Sequence, residues 1–281
     1  MNQDSNVLQV ENEIERKELI HNGYTFHYYA SGNSNNELIV FLHPAFADHR
    51  AFDQQIDFFA SNYRVITMDM PGHGLSQSGK AKIDHTIHHI HSIMESEGCQ
   101  KAHFVGVSMG SLIAQYFALH YPEKVQSLTA LGGYDINTDN SELNKAQRSE
   151  NIMWIFKALF SMNSFRRYVA RVSVNRPEQQ ERFYEMANLF TRKSFLAMSG
   201  FANIVKHRED GVQNYPLLIV SGEKDLELAI RMSKKWHYEN PSSEFHIIES
   251  AGHCANMDDS EAFNEIVTDF LKKVELMATN S

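Results

Sequence analysis

The sequence has few cysteines and no long apolar segment. Cys99 and Cys254 are the only cysteines among 281 residues, too few to build a disulfide framework. Residues 1–20 are polar and mixed in charge, without the basic end and the apolar run of a secretory signal. No stretch approaches the length of a membrane-spanning helix. We therefore expect a protein of the reducing cytoplasm that has no membrane partner.

An excess of positive charge is also lacking. The chain carries 26 lysines and arginines against 35 aspartates and glutamates, which gives a formal net charge of −9. This balance argues against nucleic acid and anionic membrane surfaces as partners. The sequence further lacks a phosphate-cradling glycine loop, because SGNSNNE (31–37) precedes a strand and opens no helix. We expect a small-molecule substrate and no cofactor.

Histidines cluster in the segment HTIHHIH at residues 85–91. His85 and His89 lie one helical turn apart, which is the spacing of the two histidines in a zinc metalloprotease helix. The glutamate that completes that pattern is missing. We therefore interpret these histidines as the solvent-facing side of a helix and predict no metal site.

Short apolar runs alternate with helical stretches along most of the chain. Six of the runs are nearly continuous, as expected for strands buried on both faces. They cover residues 37–43, 63–69, 102–107, 125–133, 216–222 and 244–250. An opening hairpin is predicted upstream, with Asn22-Gly23 as its tight turn. The alternation predicts an α/β fold with a mostly parallel sheet flanked by helices.

The alternation stops between residues 134 and 211. This segment opens with polar residues and then carries aromatic and methionine side chains at helical spacing, with no strand signal. We predict a helical cap at residues 134–211, lying over a core formed by residues 1–133 and 212–281. Most of the aromatic residues would form the interior of the cap itself.

A serine between two glycines marks the candidate nucleophile. Residues 106–110 read GVSMG, with Ser108 at the centre, between a buried strand and a helix that is apolar nearly all round. A sharp strand-to-helix turn strains the serine backbone, and side chains at Gly106 and Gly110 would collide with the turn. The helix start also directs backbone N–H groups to where negative charge develops. We predict that Ser108 is a nucleophile.

A serine hydroxyl needs a base that is oriented by a third group. His253 follows the last strand run, and Asp225 follows the run before it. Because the carboxyl ends of parallel strands lie at one edge of a sheet, Ser108, Asp225 and His253 would converge there. Asp135 and Glu223 are the alternatives for the acid, and we favour Asp225.

These motifs resemble those of the α/β-hydrolase superfamily, in particular its capped serine-esterase-like branch. The matching segments are FLHPAF (41–46), MDMPGHGLS (68–76), GVSMG (106–110), SGEKD (221–225) and AGHCANMDDSEAFN (251–264). The resemblance implies an eight-stranded, mostly parallel sheet with a helical cap inserted after strand 6. It also implies a catalytic triad in the order Ser, Asp, His. Asp69 and His73 would then shape a turn beside the site.

Acyl transfer needs two preorganised N–H donors for the developing oxyanion. Met109, the residue after the nucleophile, supplies one in such sites. The family usually has His-Gly in the loop that supplies the second, whereas this chain has His43-Pro44-Ala45-Phe46. Because proline has no N–H, Pro44 is excluded. The position favours Ala45 as the second donor, with Phe46 as the alternative.

The serine also selects among the reactions of this fold. Relatives that open epoxides or displace halide use an aspartate at this position, so the serine favours acyl transfer. We predict a hydrolase of carboxylic esters or lactones with small to medium apolar substrates, in which His253 is general base and acid. We expect Phe46, Trp154 and Phe160 to bind the substrate, because the composition of the cap suggests an apolar pocket.

Two other functions fit the same residues. Capped relatives use the same triad to hydrolyse a carbon–carbon bond in vinylogous diketones, and such acid-bearing substrates need cationic groups. Arg166, Arg167, Arg171 and Arg192 in the cap are candidates for that role. The third hypothesis is a ligand sensor of this fold that acts through partner binding, which fast multiple-turnover hydrolysis would contradict.

Overall fold

The computed structural model describes residues 13–77, 81–138, 157–206 and 215–279. The strands within these ranges are β1 Glu15–His21, β2 Tyr24–Ser31, β3 Leu38–Leu42, β4 Arg64–Met68, β5 Ala102–Val107, β6 Val125–Leu131, β7 Leu217–Gly222 and β8 Glu244–Ile248. They form one eight-stranded sheet in the order β1-β2-β4-β3-β5-β6-β7-β8. β1 and β2 pair antiparallel, as do β2 and β4, and every other pair is parallel. The predicted mostly parallel sheet is confirmed.

The hairpin between β1 and β2 turns at Asn22 and Gly23. Both residues have positive φ, 51° and 73°, and the strands continue in register on either side with His21 opposite Tyr24. Positive φ at both central residues is the geometry of a two-residue hairpin turn whose twist matches that of the strands. The predicted turn therefore has the predicted conformation.

Helices cover both faces of the sheet. The α-helices of the described ranges are α1 Asp53–Phe59, α2 Thr86–Ser96, α3 Met109–His120, α4 Met162–Ser173, α5 Pro177–Ala187, α6 Ser194–Ala197, α7 Phe201–Ile204, α8 Glu227–Glu239, α9 Ala255–Asp258 and α10 Ser260–Thr279. Short 3₁₀ segments lie at His49–Phe52, Ile83–His85, Pro122–Lys124 and Met198–Gly200.

The strand β3 shows how two hydrophobic layers arise from alternating side chains. Val40 and Leu42 pack into the layer that contains α2, α3 and α8. Ile39 and Phe41 point the other way, into the layer that contains α1 and α10. Since successive strand residues face opposite sides, a continuous apolar run is what a strand between two helical layers requires.

The strand β8 departs from the predicted burial on both faces. It lies at the edge of the sheet, with β7 as its partner, and Ile247 is 41% exposed. An edge strand has solvent on its open side, which a run of apolar letters alone does not reveal.

One histidine of α2 does not face solvent as predicted. His89 is fully buried, and its ring stacks on Phe26 with 4.2 Å between the ring centroids. The hairpin β1–β2 lies over this side of α2 and covers it, because Tyr24 and His21 also contact the His89 ring. The helix therefore turns this histidine inward.

A helical region follows β6, as predicted. The helices α4 to α7 lie between β6 and β7 in the chain, and no strand occurs in residues 157–206. The backbone N–H groups of Asn175 and Arg176, between α4 and α5, donate to Asp258 at the end of α9, and the side chain of Gln77 donates to the carbonyl of Leu189. The exact division into core and cap at residues 133/134 and 211/212 stays a prediction. In the described part of the chain, no helix has the length and apolarity needed to cross a membrane.

Candidate active site

Ser108 occupies the turn between β5 and α3. Its backbone has φ 51° and ψ −117°, a conformation that side chains rarely adopt. A Cβ on Gly106 would overlap the backbone of Ser111, and a Cβ on Gly110 would overlap the carbonyl of Leu42. Both glycines are therefore required by close backbone approach, as the sequence pattern predicts.

The neighbouring segment after β6 fixes this strained turn. The N–H of Ser108 donates to the carbonyl of Leu131 at 2.8 Å. The carbonyl of Ser108 accepts from both the N–H and the hydroxyl of Ser111, at 2.9 Å and 2.7 Å. Ser108 itself is partly exposed, and its hydroxyl has no hydrogen-bond partner among the described residues. The hydroxyl is thus held in place by its backbone and left available.

His253 and Asp225 form a close pair on the loops that follow β8 and β7. The Nδ1 atom of His253 lies 2.9 Å from both carboxylate oxygens of Asp225. The Asp225 side chain is fully shielded from solvent and also accepts the N–H of Leu226 at 2.6 Å. Because an ionised carboxylate can only accept, Nδ1 carries the proton and Nε2 presents a lone pair.

The two alternative acids have other partners. The carboxylate of Asp135 accepts the N–H of Asn137 at 2.8 Å, and burial raises the pKa of Asp135. Glu223 accepts the N–H of Ser250 at 3.0 Å and pairs with Lys224. Of the three candidate acids, Asp225 is the one bonded to Nδ1 of His253.

The segment Leu131–Gly132 brings His253 close to Ser108. While Leu131 accepts the N–H of Ser108, the next residue lies against the imidazole of His253. A Cβ placed on Gly132, whose φ is 62°, would lie 2.8 Å from Cε1 and 2.9 Å from Nδ1 of that ring. The three residues predicted to converge at the carboxyl edge of the sheet are therefore gathered around one short stretch after β6.

The loop after β3 is held by a buried histidine. His43 accepts the N–H of Met70 on Nε2 at 3.1 Å, which leaves the proton on Nδ1 to be donated to the carbonyl of Pro44 at 2.8 Å. Burial lowers the pKa of His43, so the ring stays neutral. The Pro44–Ala45 peptide is trans, and its C=O and N–H point in opposite directions. Because His43 holds the carbonyl of Pro44, the N–H of Ala45 points away from His43.

The two expected donors are both available. In the described ranges, neither the N–H of Met109 nor that of Ala45 has a hydrogen-bond acceptor. Met109 begins α3, and the contact between Gly110 and Leu42 holds the start of this helix against the loop after β3. The following residue, Phe46, has a positive φ of 70°. The role of His43 was missed in the sequence, although its position next to Pro44 was visible.

Asp69 organises the turn in which it lies. Its carboxylate accepts the N–H of Leu75 at 2.8 Å and bonds both the backbone and the ring of His49. Although burial alone would raise the pKa of Asp69, these hydrogen bonds lower it below the ordinary value. His73 is fully buried, and its Nδ1 donates to the carbonyl of Pro71. Both residues thus stabilise the turn beside the site.

The three residues expected to bind substrate have different positions. Phe46 is buried, and its ring makes edge contacts with Phe165 and Phe190 at centroid distances of 5.1 and 5.0 Å. Phe160 is 77% exposed, so its position does not support a role in lining a shielded pocket. Trp154 lies outside the described residues.

Comparisons with known proteins show which family and fold the chain resembles. A family model described as alpha/beta hydrolase fold matches residues 37–176. A 2-hydroxy-6-oxononadienedioate/2-hydroxy-6-oxononatrienedioate hydrolase of Paraburkholderia phymatum is 27% identical over 273 residues, covering 87% of this chain and 90% of that protein. The monoacylglycerol lipase ABHD6 of Bos taurus is 26% identical over 273 residues, covering 90% and 81%. The structure of the 2-hydroxy-6-oxo-6-phenylhexa-2,4-dienoate hydrolase BphD from Rhodococcus sp. strain RHA1 aligns with a TM-score of 0.74 at 20% identity, covering 93% and 99%.

Proposed function

The chain belongs to the α/β-hydrolase superfamily and is a hydrolase, and we propose that it works through Ser108 as its nucleophile. In this proposal His253 is the general base and acid, Asp225 orients it, and the N–H groups of Met109 and Ala45 bind the oxyanion. The observation that best supports this proposal is the His253–Asp225 pair. This pair lies against the segment Leu131–Gly132, which also holds Ser108 at φ 51°.

The tautomer of His253 determines where the hydroxyl proton of Ser108 goes. With Nδ1–H held by Asp225, Nε2 takes the proton of Ser108 as its oxygen attacks a carbonyl carbon, and the same proton then passes to the leaving group. An acyl-enzyme remains on Ser108. Water, activated by Nε2, adds to its carbonyl carbon and releases the acid, which restores the serine. The negative charge that forms on the carbonyl oxygen at each step lies near the two free N–H groups, one of them at the start of α3.

Among the specific hydrolase reactions, carbon–carbon bond hydrolysis has the most support from the names of the relatives. The Paraburkholderia protein bears the name of a hydrolase for a 2-hydroxy-6-oxo-dienedioate, a diacid with a vinylogous diketone. The dienol would first ketonise, the 2-hydroxyl losing its proton and carbon 5 gaining one. The serine would then attack the 6-oxo carbonyl, and the bond between carbons 5 and 6 would break with its electrons delocalised from carbon 5 into the 2-oxo acid portion. The fragment then leaves after protonation by His253, as an alkoxide would from an ester.

A diacid needs a cation, and Arg166 is the candidate that the described residues offer. Its guanidinium donates to the carbonyl of Phe190 at 2.9 Å, and Phe190 contacts Phe46 beside the donor loop. The Nε atom of Arg166 is buried and has no hydrogen-bond partner in the described ranges. Arg166 also donates to Asn163 at 3.5 Å, but Arg192 differs in that its Nε is already bonded, to the carbonyl of Ala158.

Ester hydrolysis is the second candidate. It is favoured by the relative named as a monoacylglycerol lipase and by the aromatic cluster beside the donor loop. This cluster comprises Phe46, Phe165, Phe190 and Phe195, whose rings contact one another. An apolar surface at this place suits an acyl chain better than it suits a carboxylate.

The test compares kcat/KM for 2-hydroxy-6-oxononadienedioate with kcat/KM for p-nitrophenyl esters of graded chain length and for monoacylglycerols. Carbon–carbon hydrolysis predicts a preference for the diacid, and the Arg166→Gln variant should lower kcat/KM for the diacid about tenfold or more while sparing neutral esters. Arg167→Gln, an exposed neighbour, is the matched control. A preference for neutral esters that Arg166→Gln leaves unchanged would favour ester hydrolysis.

The Ser108→Ala variant tests whether hydrolysis depends on Ser108 as the nucleophile. It should reduce hydrolysis of every productive substrate by several orders of magnitude without loss of folding. If activity survives in Ser108→Ala, the proposed mechanism is wrong. Slow single turnover with ligand-dependent capture of a partner in the wild type would favour the ligand sensor instead.

A further inference from the structure

Three ionisable side chains meet at the amino end of the central strands, away from Ser108. His103 lies on β5, Glu37 directly precedes β3, and Glu275 extends from α10. One ligand atom from each lies within 4.8 Å of the other two. Since Ser108 follows β5 five residues after His103, the two sites are separated by about 16 Å along that strand.

The imidazole of His103 is oriented by a second residue. The ring is fully buried, and its Nδ1 lies 2.7 Å from the hydroxyl of Ser127 on β6. Because a carboxylate can only accept, Nε2–H donates to Glu37 in this arrangement and the Ser127 hydroxyl donates to Nδ1. If the hydroxyl turns and accepts Nδ1–H instead, Nε2 gains a lone pair for a metal ion. A histidine metal ligand usually has its other ring nitrogen held by a hydrogen bond, as Ser127 holds Nδ1 here.

One of the distances between ligand atoms matches the edge of a zinc coordination shell. Nε2 of His103 lies 3.4 Å from Oε2 of Glu37, which is long for a hydrogen bond. Two ligands of a tetrahedral zinc ion with bonds of about 2.0–2.1 Å are separated by about 3.4 Å. The distance therefore corresponds to one edge of such a coordination shell.

Glu275 is also held by a neighbour and has an oxygen to spare. The hydroxyl of Tyr63 donates to its Oε1 at 2.6 Å, and burial together with this carboxylate raises the pKa of Tyr63, which keeps the phenol a donor. Among the described residues, no lysine or arginine forms an ion pair with Glu37 or Glu275. In the described part of the chain, two carboxylates therefore face the imidazole without a lysine or arginine, and half-exposed Glu37 also accepts the side-chain amide of Gln126 at 3.4 Å.

We propose that His103, Glu37 and Glu275 form a structural site for a first-row divalent metal ion, with zinc as the expected occupant. One nitrogen and two carboxylate oxygens are a ligand set that zinc accepts, and water would complete the tetrahedron. The ion would connect α10 to the amino end of β3 and β5. It would stabilise the fold and take no part in the chemistry at Ser108.

A second group of similar composition lacks these properties. Asp48, His49 and Asp69 also lie close together. However, Arg50 donates to both carboxylate oxygens of Asp48, at 2.9 and 2.7 Å, and the oxygens of Asp69 accept the N–H of Leu75 and two bonds from His49. The cation and the donors are supplied by the chain itself, so we expect no metal there.

The experiment uses the full chain after removal of metals with a chelator. Zinc is then titrated by calorimetry, and thermal unfolding is followed with and without zinc. We expect one tight equivalent and a higher Tm. Glu275→Gln and Glu37→Gln should weaken binding at least tenfold and remove most of the Tm shift. Glu265→Gln, an exposed glutamate on the same helix, is the matched control and should behave as wild type.

The histidines of α2 are a competing zinc-binding surface. His91→Asn removes the pair that His91 forms with Glu95 one turn away. The proposal is overturned if the wild type shows no tight equivalent, or if His91→Asn abolishes it while Glu275→Gln does not. Hydrolase activity should be the same in all these variants with and without zinc, because none of them changes the site around Ser108; loss of activity on zinc removal would also contradict a purely structural ion.

Discussion

At the scale of single residues, the candidate site depends on which nitrogen of His253 carries the proton. Both oxygens of Asp225 face Nδ1 at 2.9 Å, and the buried carboxylate has the N–H of Leu226 as its other partner. The pair therefore fixes one tautomer and one ring orientation. Nucleophilic chemistry at Ser108 needs that tautomer, since only Nε2 can then accept the serine proton.

Asp225→Asn tests this dependence with almost no change of shape. The amide can present its NH₂ to Nδ1 and so stabilise the wrong tautomer, and kcat should fall by about 10⁴ with a small change in KM. The measurement is steady-state kinetics on whichever substrate the wild type turns over. Asp135→Asn is the control, because Asp135 bonds Asn137 instead, and it should retain most activity. If Asp135→Asn lost kcat and Asp225→Asn retained it, Asp135 would be the acid of the triad.

The residue scale also separates what the sequence could predict from what it could not. Ser108, Asp225 and His253 were identifiable because each follows a strand, and parallel strands place their carboxyl ends together. The clamp of His43 on Pro44 was not identifiable, because it requires the N–H of Met70, which follows another strand. The exposure of Phe160 could not be predicted for a related reason, since helical spacing marks a face but does not say what covers it.

At the scale of elements, the segment after β6 is what joins the parts of the site. Leu131 holds Ser108, and Gly132 leaves just enough room for the imidazole of His253. Neither strand position alone would align the serine and the histidine. The close approach of this backbone to the ring is therefore a requirement of the site rather than of the sheet.

Gly132→Ala should lower activity more than stability. The new Cβ would lie within 3 Å of the His253 ring and displace it, whereas the positive φ costs about 1 kcal/mol of folding free energy. Gly98→Ala is the matched control, because Gly98 has a similar φ of 71° and open space around its Cβ position. Both variants should lose similar stability in urea unfolding, and only Gly132→Ala should lose kcat. Equal activity of the two variants would show that the ring does not depend on this contact.

Asp258 connects the cap helices to the loop of His253. Its oxygens accept the N–H groups of Asn175 and Gly252, both at 2.7 Å, and of Arg176 at 2.9 Å. The side chain is buried, so a backbone N–H that loses its hydrogen bond to Asp258 has no water to bond instead.

Asp258→Asn should therefore reduce the free energy of unfolding by about 1–3 kcal/mol, because the amide NH₂ meets at least one backbone N–H. The same change should raise KM, since α5 and the His253 loop lose their common anchor. Asp259→Asn is the neighbouring control: its ion pair with half-exposed Arg176, at 3.9 Å, is worth little. The asparagine oxygen can still accept the N–H of Ala262 at the start of α10, as Asp259 does at 3.1 Å. Thermal unfolding and kinetics of the two variants decide the matter, and similar losses in both would refute a specific role for Asp258.

At the scale of the whole molecule, several histidines are buried in the neutral form. Burial lowers the pKa of His73 and of His89 to about 3, and it also lowers those of His43 and His103. In the unfolded chain these histidines titrate near pH 6.5. Below that pH the unfolded chain binds protons at these histidines and the folded chain does not. The contribution of the neutral histidines to the free energy of unfolding is therefore fully present above about pH 6.5 and decreases as the pH falls towards 3. His73 and His89 each contribute a slope approaching about 1.4 kcal/mol per pH unit in that window.

His89→Phe tests this pH dependence at one site. Both ring nitrogens of His89 are buried without a hydrogen-bond partner in the described residues, and the ring is stacked on Phe26 and Tyr24. A phenyl ring fills the same place and cannot bind a proton, and the neighbours His21 and His88 remain. We expect the variant to be at least as stable as wild type at pH 7.5 and clearly more stable at pH 5.5, with the mean slope between them reduced by about half a proton, or about 1.4 kcal/mol over the interval. Urea unfolding at both pH values measures this difference. An unchanged slope would mean that His89 takes up its proton without unfolding, and that the acid sensitivity of the fold arises at the other buried histidines.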